Sequence, residues 1–150
     1  MSDPTVRTLS RAWPALRPLR PEEVVGDLRA SFVRPLRQVA PRGLGLVGLR
    51  HWHGKRFRVS DGVVGGVNLV RRGGALVEVL PMTLRVAASL ADGRPTLVVG
   101  YPPDSPRPWR WVRDELREAP DGTVVGMTYV DLPGLRRSGT PFLLERERTG

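Results

Sequence analysis

Cysteine is absent from the 150 residues, and lysine occurs once, as Lys55. Without cysteine there is no disulfide framework, no zinc ribbon and no thiol nucleophile. No apolar run reaches the ~20 residues that a membrane helix requires. Met1-Ser2-Asp3-Pro4 lacks the basic-then-apolar pattern of a secretory signal. The cytoplasm is therefore the expected compartment. Repeats are missing too, and no linker is long enough to separate two domains. Gly65-Gly66 and Gly73-Gly74 have no following lysine and helix, so neither is a phosphate-binding loop. There is no serine–histidine–acid arrangement and no carboxylate pair of glycosidase type, and no residue is assigned a catalytic role.

What is present fits one packed domain over 1–150. A hydrophobic content of 40% is ordinary for a core, and a chain of this length buries roughly 68–70% of its unfolded surface without help from a metal. The net charge is +9. Between Leu28 and Val59 stand Arg29, Arg34, Arg37, Arg42, Arg50, Lys55, Arg56 and Arg58, with no acid among them, whereas residues 61–150 carry 12 basic and 11 acidic side chains. Such a one-sided segment suits an anionic partner, nucleic acid or a phospholipid surface, or equally a solvated face that keeps the protein soluble.

Hydrophobic spacing divides the chain at about residue 20. In the arm 1–20, Val6, Leu9 and Trp13 fall near helical spacing before Pro14 ends the pattern. Pro21-Glu22-Glu23 reads as a helix start; Val25, Leu28 and Phe32 continue a helical stripe, unless the segment turns to strand after Gly26. Beyond Gly43 the period becomes two. Leu44, Leu46 and Gly48 alternate. Lys55–Val59, Val63–Arg71, Ala75–Val79, Met82–Leu90, Pro95–Tyr101, Trp109–Leu116, Thr123–Val130 and Thr140–Glu147 follow, punctuated by Gly73-Gly74, Pro81, Ala91-Asp92-Gly93-Arg94, Pro102–Pro106 and Pro120-Asp121-Gly122. Short strands at this spacing predict a mainly-β sandwich or closed barrel over 21–147. The barrel is preferred because it hides the edges of a long antiparallel sheet.

Three segments, in this order, carry a resemblance: Pro21–Ala30, with Gly26 retained, Leu28 at the tryptophan position and Ala30 at the second glycine; Trp52-His53-Gly54-Lys55-Arg56-Phe57; and Tyr101-Pro102, Asp121–Met127 and Pro141–Arg146. Together they resemble the small bacterial GXWXG-type proteins, a calycin-like family, over most of 21–147. The resemblance implies a lipocalin-like antiparallel barrel with one or two short N-terminal helices and an interior able to hold a small ligand. In lipocalins a first-strand tryptophan packs under a last-strand arginine; by that analogy Leu28 and Arg146 belong near the closed end.

The candidate ligand-binding residues are Trp52, His53, Lys55, Trp109, Trp111 and Arg113. On a regular strand His51 and His53 share one face, and Arg50, Trp52 and Gly54 the other, unless a bulge at Gly54 re-aims Lys55. A metal on the two histidines would need a third ligand that the sequence does not indicate, so neither metal nor cofactor is expected. In Trp109–Leu116, a strand sets Trp109, Trp111, Arg113 and Glu115 on one side and Arg110, Val112, Asp114 and Leu116 on the other. The first set could line a cavity, with the arginine anchoring a carboxylate or phosphate; alternatively the rings fill the core and Arg113 pairs with Glu78 or Glu115. Pro102–Pro108 is either a lid over one barrel mouth or a rigid connection. The expected function is non-enzymatic binding of a small apolar or amphipathic molecule, with an acidic head an option. The alternatives are an anionic partner on residues 28–58, or an isomerase- or cyclase-type enzyme using His53 as acid or base.

Overall fold

A computed structural model of the protein describes residues 4–34 and 49–147; the alternation at Leu44, Leu46 and Gly48 lies outside them. Thr5 starts the one α-helix among the described residues, α1 (Val6–Ala12). Its hydroxyl accepts from the Thr8 N–H at 3.1 Å, and Thr8 Oγ1 accepts from the Thr5 N–H at 2.7 Å. This reciprocal cap satisfies two otherwise orphaned donors. Pro14 then forces a 3₁₀ turn, Trp13–Ala15, and two residues, β1 (Arg17–Pro18), pair with a later strand.

The acids after Pro21 open only a second 3₁₀ turn, Pro21–Val24. The chain goes over to strand at Gly26, whose φ of +124° is a conformation for glycine, so the strand alternative for this segment is the one realised. The strands are β2 (Gly26–Phe32), β3 (Trp52–Ser60), β4 (Val63–Arg72), β5 (Ala75–Ala88), β6 (Pro95–Gly100), β7 (Val112–Glu118), β8 (Val124–Val130) and β9 (Thr140–Arg146). Each of these eight pairs antiparallel with the next, and β9 returns to β2, closing the barrel.

Two expected elements take a different form. Ala75–Val79 and Met82–Leu90 are one strand, β5, running straight through Pro81. The punctuation seen in the sequence becomes a bulge at Leu80 (φ 51°): Val67 lies opposite Pro81, but its neighbour Asn68 lies opposite Val79. A bulge leaves a residue outside the ladder, so a proline beside it costs little. Trp109–Trp111 is a 3₁₀ turn, and β7 begins only at Val112.

The interior is packed by Leu28, Phe57, Met82, Leu97, Val99, Leu116, Val124, Phe142 and Leu144. Two glycines make room for rings. A Cβ at Gly66 would stand 2.5 Å from Phe57 Cδ1, and one at Gly126 would stand 2.2 Å from Phe142 Cζ. The Pro21–Val24 turn packs onto the core through Val24, which is fully buried. Leu28 and Arg146 are register partners here. The Arg146 guanidinium donates to the carbonyls of Gly122 (3.0 Å) and Glu23 (3.1 Å) and to Glu118 Oε2 (3.0 Å). Arg17 bridges Glu23 and Glu118.

A second buried layer lies outside the barrel. Trp13 and Leu16 pack on Val125, Met127 and Tyr129. Arg117, outward on β7, stacks 4.6 Å from the Trp13 ring centroid and grips Asp92 through two nitrogens at 2.6 and 2.9 Å. The Trp13 indole N–H donates to Ser89 Oγ, which donates to Glu115 Oε1. The arm thus shields a set of charges that would otherwise line the outer wall.

Two stability predictions follow from these contacts. A Cβ at Gly54 would lie 1.9 Å from the Leu28 carbonyl oxygen, a backbone atom fixed in the β2–β3 ladder. Gly54→Ala should therefore lower unfolding free energy by about 3 kcal/mol, at the top of the usual overpacking range, read by urea denaturation. The Arg117 hydrogen bonds hold the Asp92 carboxyl at about 2, so its contribution is complete above about pH 4, where the unfolded carboxyl is ionised, and is lost as pH falls toward 2. Asp92→Asn should be less stable at neutrality and lose less stability between those pH values, as followed by circular dichroism.

Candidate functional site

Lys55 sits on the inner face of the barrel, 1% exposed. A register shift in β3 explains both its position and its company. Trp52 lies opposite Val70 and Gly54 opposite Leu69, which leaves His53 as the extra residue of a bulge. Unbulged, Trp52 and Lys55 would point to opposite faces. With one residue inserted, both stand opposite the inward-facing pair Val70 and Asn68, and the indole joins the lysine inside.

The Lys55 ammonium donates to Asp114 Oδ2 at 3.1 Å and to Asn68 Oδ1 at 3.1 Å. Its remaining neighbours are the Met82 thioether at 3.3 Å and the Tyr101 hydroxyl at 3.4 Å. Asn68 Oδ1 also accepts from the Trp52 indole (3.1 Å), and its amide donates to Tyr101 Oη (3.0 Å) and the Leu80 carbonyl (3.2 Å). Asp114 Oδ1 accepts from the Thr128 hydroxyl at 2.8 Å. The rings of Trp52, Tyr101 and Phe142 stand 5.4, 5.8 and 6.0 Å from the ammonium, within cation–π range. Phe32 extends the aromatic wall, 5.7 Å from Trp52.

Burial by itself would drive the ammonium toward neutrality. Tyr101 and Asp114, by charge and hydrogen bond together, outweigh it and leave the Lys55 pKa above the ordinary lysine value. Burial pushes the Tyr101 hydroxyl up as well. A charge pair this deep costs desolvation of both ions and survives only with well-placed hydrogen bonds, which Asn68 and Thr128 supply.

The other sequence candidates separate. His53 meets Glu147 and takes no part in the hydrogen bonds of the cluster. His51 has left-handed backbone (φ 58°) and is exposed, so the two histidines do not form a pair on one regular face. Trp109 is buried against Tyr101, ring centroids 5.3 Å apart, which places the Pro102–Pro108 segment next to the cluster. Arg113 points outward and binds Glu115 through Nε (3.1 Å) and Nη2 (2.9 Å). Trp111 also lies outside, half-buried. Trp52 and Lys55 are thus brought together inside the barrel, and Trp111 and Arg113 on its outer wall.

Asn68, Met82, Tyr101 and Asp114 complete the interior cluster and were not among the sequence candidates. For Asp114 the signal was available: Val112 and Leu116 flank it at i±2, and an apolar–acid–apolar face is the one a barrel turns inward.

The structure is similar to a crystal structure of a protein from Thermomonospora curvata, with a TM-score of 0.73 and 22% identity, covering 97% of this chain and 90% of that chain. The fold is calycin-like. At this identity the likeness bears on the barrel alone. No family model matches the chain, and no curated protein matches it.

Within the calycin-like barrel the charge pair generates a prediction of its own. Lys55→Met would strand the Asp114 carboxylate and should cost about 3–5 kcal/mol, while adding Asp114→Leu should recover most of that loss. Urea denaturation of the single and double variants measures both.

Proposed function

We propose that this protein binds a small apolar or amphipathic molecule without chemical transformation, at the barrel end where Trp52 and Phe32 keep partial exposure. The supporting observation is the composition of the Lys55 shell. Two strong acceptors, Asp114 and Asn68, are met at 3.1 Å, whereas the remaining neighbours are a thioether sulfur at 3.3 Å, a weak acceptor, and the Tyr101 hydroxyl at a long 3.4 Å. Methionine is flexible and unbranched, so a ligand carbonyl or hydroxyl oxygen could displace it and accept the third ammonium hydrogen. Phe32, Trp52 and Phe142 would contact the apolar remainder. Because Asp114 already neutralises Lys55, a neutral polar head fits this environment better than a carboxylate.

The arrangement favours this reading over an anionic surface partner on residues 28–58. Lys55 is inside the barrel. Arg56 is engaged by Asp27 and Glu78, and Arg58 by Glu78, so acids from outside the basic run neutralise part of it. Arg37 and Arg42 lie outside the described residues.

Native mass spectrometry of the purified protein, followed by organic extraction, should reveal a stoichiometric small-molecule adduct or binding of medium-chain alcohols or methyl ketones. Trp52→Leu should weaken that binding about tenfold, ~1.4 kcal/mol. A clean mass together with no binding across such a panel would overturn the reading.

A further inference from the structure

A second concavity lies on the outer wall of the barrel, across β5–β8, with a volume of about 460 Å³. Its size falls within the range of small-molecule sites. Val98 and Gly100 contribute to its floor, and Gly100 leaves it open: a Cβ there would meet nothing closer than Thr83 Oγ1 at 3.7 Å. Four arginines line it, Arg85, Arg110, Arg113 and Arg136, against one acid, Asp131.

Their pairing decides which of them are available. Arg113 is committed to Glu115, and Arg136 to Asp131 at 2.6 Å. Among the described residues the Arg110 guanidinium hydrogen-bonds only through Nε, donated to the Ser105 carbonyl at 3.1 Å. Its guanidinium carbon lies 5.9 Å from the Trp111 ring centroid, and that of Arg107 lies 5.7 Å from the same ring. The Arg85 side chain has no hydrogen bond or ion pair among the described residues. Two guanidinium groups therefore face one cleft with unused donors, one of them oriented by a backbone carbonyl and an aromatic face. Guanidinium groups recognise tetrahedral oxyanions through paired donors and are more easily desolvated than ammonium. Trp111, Leu90 and Tyr129 supply apolar lining beside them.

We infer that this outer cleft binds a phosphate monoester, its phosphate held by Arg85 and Arg110 and its organic part against Trp111. The site is separate from the interior cluster and takes a different ligand chemistry, so it does not depend on the reading given above.

Phenyl phosphate, inorganic phosphate and phenol are suitable probes for isothermal titration calorimetry with the full chain. Phenyl phosphate should bind with an affinity that falls as salt rises, inorganic phosphate should bind more weakly, and phenol should not bind. Arg85→Gln with Arg110→Gln should weaken phenyl phosphate at least tenfold. Trp111→Leu should remove its advantage over inorganic phosphate. Both sets of substitutions are at half-buried or exposed positions, and unchanged melting temperatures would show that the fold is retained. Absence of phenyl phosphate binding at low salt, or binding that survives the double arginine substitution, would overturn the proposal. Loss of interior ligand binding in the Trp52 variant would leave this result unaffected, which keeps the two sites distinguishable.

Discussion

The ion pair between Lys55 and Asp114 is the constraint around which the barrel is organised. It joins β3 to β7 across the interior, and neither ion has bulk water to turn to. Every neighbour acts to keep the pair tolerable: Asn68 and Thr128 complete the hydrogen bonds, and three rings give the cation electron-rich faces. An apolar core of the same shape would be easier to stabilise.

The two bulges in the sheet serve the same cluster. One, at His53, turns Trp52 inward beside Lys55; the other, at Leu80, lets Asn68 face Val79 while Met82 still points into the barrel. Bulges re-aim side chains without breaking a sheet, and here they sit on the strands to either side of Asn68. Glycine acts in parallel. Gly66 and Gly126 surrender their side-chain space to Phe57 and Phe142, so that large rings can lie across a narrow interior.

Much of this was legible in the sequence, for physical reasons that also mark where legibility ends. Alternation and turn residues located most of the strands and the change of period, because both are local. Pro81 misled, since a proline reads as a break unless a bulge in its own strand, here at Leu80, lets the ladder continue past it. Trp109-Arg110-Trp111 misled as well: it is a 3₁₀ turn rather than strand, so Trp109 is buried against Tyr101 while Trp111 stays on the outer side with Arg113. Trp52 and Lys55 could be named singly, but their meeting depends on a one-residue shift set by β4, which no local pattern encodes. Arg113 pairs with Glu115, one of the two carboxylates, with Glu78, named for it from the sequence.

The closure of the barrel through β2 and β9 has a consequence for how the chain is made. Leu28 finds its partner Arg146 more than a hundred residues downstream, so that hydrogen-bonding edge of β2 stays unmatched until β9 has been synthesised. Pairings between distant segments carry a loop-closure cost and form slowly. A nascent or C-terminally shortened chain would present that edge, with β8 likewise missing β9, to whatever extended strand came near. The last strand therefore guards the protein against pairing with the wrong partner as much as it completes the wall.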